Sequence, residues 1–162
     1  MSAQSGSVSA SREEVFSLHR YFLAANAQRV AFQQIITGHA EKTGEAPHYG
    51  GENWNESWIA MSYWYGGLYV VIEGWQELGL IDPEVDALLA SPNVALLKRY
   101  RNGTFHYQRK YLDERFQGLI RDGTDVVTWV TELNRQFGRF FLEWFARNEH
   151  RDPEDGPVAD LG

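Results

Sequence analysis

Residues 56–79, ESWIAMSYWYGGLYVVIEGWQELG, decide the fold class. Trp58, Met61, Tyr65, Leu68, Ile72 and Trp75 recur at alternating steps of three and four, the repeat of one face of an α-helix. Ile59, Trp64 and Val71 make the other face apolar as well, so this helix is expected to be buried on more than one side. Its most apolar run, Trp58 to Ile72, is 15 residues long between Glu56 and Glu73. That is short of the ~20 residues that span a bilayer, so the segment reads as a core helix and no membrane association is expected. The Gly66-Gly67 pair inside it suits close crossing by a neighbouring helix better than a ligand pocket.

Working outward, helical signals recur on both sides. Upstream, Ser11 and Glu14 form an S-x-x-E capping box, because the serine oxygen accepts an orphan amide while the glutamate reaches back. The stripe Val15, Leu18, Phe22, Ala25, Phe32 and Ile36 then predicts a helix over 11–37, ended by Gly38. Residues 38–55, with four glycines and Pro47, read as a loop. Downstream, Asp82-Pro83 opens a short helix through Leu89, and Ser91-Pro92 opens a main helix over 92–111. A short segment over 113–121 follows, and Val126, Val130, Leu133, Phe137, Phe140 and Trp144 mark a last long helix from 124 or 125 to 148. No stretch alternates with a period of two and no repeat is visible. The expectation is an all-α, up-down bundle of four long helices with one or two short extra helices over 11–148. It is flanked by a disordered N-terminus at 1–10 and an acidic flexible tail at 149–162.

A chain of 162 residues fits one domain. Six Trp, eight Tyr and nine Phe point to a densely packed core, an interface, or both. The absence of cysteine excludes disulfides, thiolate metal sites and cysteine nucleophiles. The opening MSAQSGSVSASRE lacks the basic and apolar regions of a signal peptide, so a cytoplasmic location is expected. The net charge of −7 is unevenly spread. The tail from Glu149 has five acids against Arg151, whereas residues 98–115 have six cations (Lys98, Arg99, Arg101, Arg109, Lys110, Arg115) against Asp113 and Glu114. An acidic chain therefore carries one basic segment, which attracts phosphate or simply forms a solvated face.

Inside that segment stands Arg101-Asn102-Gly103-Thr104-Phe105-His106. With 12 Arg, seven Asn and five His in the chain, Arg-Asn followed by His at this gap arises by chance only ~0.02 times. The hexapeptide resembles the motif of the HEPN superfamily (higher eukaryote and prokaryote nucleotide-binding domains). These are small helical bundles marked by Arg, a polar residue, and His four to six positions after the Arg. The resemblance implies metal-independent endoribonuclease activity in a homodimer with no cofactor, Arg101, Asn102 and His106 being the catalytic residues. It also implies a toxin–antitoxin or defence setting, with a protein antitoxin or inhibitor as partner.

The residue chemistry suits that reaction. Attack of a ribose 2′-OH on the adjacent phosphate needs a base, a cation for the developing charge and an acid for the leaving oxygen. Histidine, with an ordinary pKa near ~6.5, exchanges protons near neutrality, and arginine stays cationic and grips phosphate oxygens. On a continuous helix Asn102 lies one turn before His106 and would orient its ring, whereas Arg101 and His106 diverge by ~140°. Two facing protomers that pool two arginines and two histidines would resolve that divergence. Gly103, costly inside a helix, suggests close approach by another helix or by substrate. Lys98, Arg109 and Lys110 are the expected RNA-backbone contacts, and Tyr107 a base-stacking residue.

Two rivals remain open. In one the chain is a catalytically inactive helical interaction or RNA-binding module, with Arg101 paired to an acid such as Glu73 and His106 packed in its own bundle. In the other it is a metal-dependent bundle enzyme using His19, His39 and His48, although Glu45-x-x-His48 falls in a loop rather than on a helix.

Overall fold

The computed structural model describes residues 10–148, so the N-terminal stretch before Ala10 and the acidic tail lie outside the described residues. Among these residues there are six helices and no strand: α1 Arg12–Thr43, α2 Trp54–Glu77, α3 Pro83–Leu89, α4 Asn93–Phe105, α5 Glu114–Asp122 and α6 Val126–Asn148. The chain is all-α, but only α1, α2 and α6 are long. The helix expected over 92–111 is the 13-residue α4.

α1 begins where the capping box places it. Ser11 Oγ accepts from the Glu14 amide at 3.2 Å and Glu14 Oε2 accepts from the Ser11 amide at 2.7 Å. The helix runs through Gly38, the expected stop, because that glycine sits on an open face with nothing crowding it. Its cost there is only ~1 kcal/mol. The helix ends instead at Gly44, which adopts φ 79° and returns its amide to the Ala40 carbonyl at 2.8 Å. Residues 39–43 of the expected loop are therefore helical.

The glycines of α2 fix how its neighbours cross it. A Cβ on Gly67 would stand 3.1 Å from Ala25 Cβ, and one on Gly74 would collide with Leu18, so α1 lies antiparallel and close. A Cβ on Gly66 would stand 2.8 Å from the Phe105 ring, so the adjacent glycine admits the end of α4 instead. α6 completes the core: Trp64 Nε1 donates to Asn134 Oδ1 at 3.0 Å and Asn134 Nδ2 donates to Asn26 Oδ1 at 3.0 Å. This chain of bonds satisfies buried polar groups on α2, α6 and α1 together. Trp75, almost fully buried, packs on Phe137 and Phe140 at ring separations of 5.5 and 4.6 Å and donates to Asp86 of α3 at 3.1 Å. No helix of the described residues is long and apolar enough to cross a membrane.

α3 is tied to α6 by Arg139, which pairs with the buried Asp82 and, at 3.4 Å, with the exposed Glu84. Asp82 caps α3 by accepting from the Val85 amide at 3.1 Å, and Arg139 Nη2 donates to the same Oδ1 at 2.5 Å. Burial alone would raise the Asp82 carboxyl, but the Arg139 guanidinium and the Val85 amide outweigh it and hold its pKa below the ordinary value. A carboxyl depressed in the folded state contributes stability that is present above its unfolded pKa of ~3.9 and is lost as pH falls through the lower folded value. Arg139→Gln is accordingly expected to lower the urea midpoint at pH 7, with the gap to wild type closing as pH falls through the depressed folded-state pKa of Asp82. A gap that persists undiminished in acid would show that Arg139 acts through packing alone.

Candidate functional site

The motif straddles the end of α4. Arg101 and Asn102 are helical, whereas His106 is the C-cap, extended at φ −125°, ψ 132°. The one-turn relation expected between Asn102 and His106 therefore does not exist. Phe105 is the last helical residue, its ring lying over Gly66 and edge-on to Tyr63 at 5.7 Å. Beyond it, Tyr107 is 91% exposed and adds no buried contact to prolong the helix.

Arg101 and His106 consequently face different surroundings. The Arg101 guanidinium is half-buried against α2, where Nη2 donates to Glu73 Oε2 at 3.2 Å and Nη1 donates to Asn102 Oδ1 at 3.1 Å. Its Nε is buried with no partner among the described residues. Tyr69 belongs to the same cluster. Burial raises its pKa, the Glu73 carboxylate raises it further, and Arg101 partly opposes both. Asn102 thus orients the arginine and not the histidine ring. Of the two readings open to Glu73, a general acid paired with Glu77 or a charge partner for an arginine, the pairing with Arg101 is the one it takes.

His106 is exposed, and its imidazole makes no hydrogen bond among the described residues. It borders a recess of about 340 Å³ shared with Tyr107, Lys110, Tyr111, Trp58 and Phe116. Arg101 and Asn102 are absent from that lining. Gly103 is buried beneath α5, where a Cβ would meet the Phe116 ring at 3.0 Å. The close approach that this glycine signals is made by a helix of the same chain.

Of the expected backbone contacts, Lys110 lies at the recess, whereas Lys98 and Arg109 are exposed but outside it. None of the three forms an ion pair among the described residues. Trp58 and Phe116 were not anticipated as site residues. Their only signal was membership of aromatic stripes, which core residues share.

The histidines of the metal reading do not converge. His19 packs on Phe141 and Phe145 at ring separations of 4.9 and 4.7 Å, and burial lowers its pKa. His39 is buried, its Nδ1 3.3 Å from the Asn53 side-chain amide. Twenty residues of α1 separate the two, about 30 Å of helix. Among the described residues no three His, Asp or Glu side chains gather as a metal-binding group. Comparison with protein-family models, curated proteins and solved structures gives no match to this chain.

Proposed function

We propose that this chain is a metal-independent endoribonuclease of HEPN type that acts as a homodimer. The carrying observation is that His106 stands exposed and uncommitted beside an aromatic recess rimmed by Lys110, five residues after an arginine clamped by Glu73 and Asn102. Its imidazole forms no hydrogen bond among the described residues, which leaves both ring nitrogens open to a ligand. The reading takes α1, α2, α4 and α6 as an up-down bundle, supported by the antiparallel packing of α1 on α2.

In the proposed reaction the ribose 2′-OH attacks the adjacent phosphorus while the bond to the 5′ oxygen breaks, leaving a 2′,3′-cyclic phosphate and a 5′-hydroxyl. The histidine of each site takes the 2′-OH proton and passes it to the leaving oxygen. Arg101 offsets the charge on the phosphorane, and Asn102 fixes its guanidinium plane. Because Arg101 and His106 point into different surroundings within one protomer, each complete site takes its arginine and histidine from opposite subunits.

The test is incubation of RNA with purified protein in EDTA, followed by analysis of the product ends. Cleavage that survives the chelator and yields cyclic-phosphate ends is expected. Activity that requires added divalent cation, or products with 5′-phosphates, would overturn the reading.

A further inference from the structure

The recess beside His106 is walled by rings, and the ring contacts continue well past it. Trp58 meets Phe116 edge-on at 5.5 Å and stacks with Trp54 at 5.8 Å, and Tyr49 touches both Trp54 at 5.7 Å and Tyr111 at 5.9 Å. Trp54 Nε1 also donates to the Tyr111 hydroxyl at 3.3 Å, pinning the turn after α4 to the start of α2. The loop between α1 and α2, which the sequence left without a role, thus braces Tyr111 from behind. Yet Tyr111 is 57% exposed and Tyr107 almost wholly so, which leaves ring surface open to solvent on a braced scaffold.

Three properties define what fits there. The volume, about 340 Å³, is at the low end of the range for ligand pockets and matches one nucleoside. The open walls are π faces, which stack on any base without reading its edge. Lys110 on the rim, with Arg109 beside it in sequence, supplies cations for a flanking phosphate.

We infer that this recess holds one unpaired nucleobase of the RNA, stacked on Tyr111 and Tyr107, and so places the neighbouring phosphate at His106. The inference rests on the nuclease reading and adds to it a substrate class: single-stranded RNA, or loops and ends, because a base held in a duplex cannot leave its own stack to enter the recess.

The experiment measures binding of a 2′-O-methyl decamer, which lacks the attacking hydroxyl and so reports the recess whether or not the protein cuts RNA. Quenching of tryptophan fluorescence and polarisation of a labelled strand give the affinity. Tyr111→Ala is expected to weaken binding by about 10-fold, the scale of one lost stack, Tyr111→Phe to retain most of it, and the same sequence as a duplex to bind far more weakly. Because Tyr111 also braces the turn after α4, circular dichroism checks the fold of each variant before affinities are compared. Equal affinity of wild type and the double variant Tyr107→Ala/Tyr111→Ala would overturn the inference, as would equal affinity for single strand and duplex. So would an absence of binding together with a self-association that Tyr111→Ala abolishes, since the rings would then seat a second copy. Binding that follows the rings without any RNA cleavage keeps the recess and discards the nuclease. Cleavage indifferent to both tyrosines does the reverse.

Discussion

His106→Ala protein is expected to unfold at the wild-type urea concentration and to cleave RNA at least ~100-fold more slowly. The first half follows from exposure: an imidazole with no hydrogen bond among the described residues leaves no cavity and orphans no partner, so the change in stability stays within ~0.5 kcal/mol. The second half follows from the need for a proton carrier at both the 2′-OH and the leaving oxygen. Arg101→Ala should be similarly inactive, at a cost in stability of no more than ~1 kcal/mol, because its ion pair with Glu73 is only half-buried.

The two variants together test the dimer. If each site combines one subunit's arginine with the other's histidine, a mixed dimer contains one site with both groups intact and one with neither. Random exchange makes half the molecules mixed, so the blend recovers about a quarter of wild-type activity from two inactive parents. A blend as inactive as its components would show that the two residues act within one subunit, and the trans arrangement would be wrong.

The largest loss of stability is expected at Trp75→Ala, about 3–5 kcal/mol by urea denaturation. That is a large share of the ~5–15 kcal/mol typical of a whole domain. Trp75 sits between α2, α6 and α3, 1% exposed, with Phe140 edge-on against its ring and Asp86 accepting from its indole. Removing it takes away the ring surface on which α6 packs and leaves a void that a close-packed neighbourhood cannot collapse to fill. Trp75→Phe keeps most of the buried area and gives up the bond to Asp86, so its loss should be less than half as large. A cost below ~1.5 kcal/mol for the alanine variant would mean that α6 is held elsewhere, with the Trp64–Asn134–Asn26 chain the next place to cut.

The helical stripes and caps were legible in the sequence because they are local. Ser11 with Glu14 is a complete signal within four residues, and α2 announces itself by a stripe that needs no knowledge of its neighbours. Where an element ends is decided at a distance. Gly38 and Gly44 carry the same propensity, and only at Gly44 does the backbone turn left-handed. The segment after Phe105 keeps a helical spacing of tyrosines through Tyr111, but Tyr107 is left in solvent and Tyr111 is held by Tyr49 and Trp54 in a non-helical turn.

The motif was visible for its composition, while its geometry depended on that early stop. Arg101 and His106 were expected to diverge around one helix, whereas they diverge because one belongs to a helix and the other does not. The aromatic wall was hidden for a different reason. Trp58 lies on the same stripe as the buried Tyr65 and Leu68, and only the fold brings it to Phe116 and the recess.

The point at which α4 stops has a consequence for insertions and deletions. Along a helix each added residue swings everything after it by ~100°, so spacing and direction are locked together. His106 has already left the helix. A residue gained or lost between Phe105 and His106 would change the length of a turn without re-aiming Arg101, which stays paired with Glu73 of α2, or the Asn102 that bonds to it. The gap between arginine and histidine is therefore governed by how far a tether reaches and not by an angle.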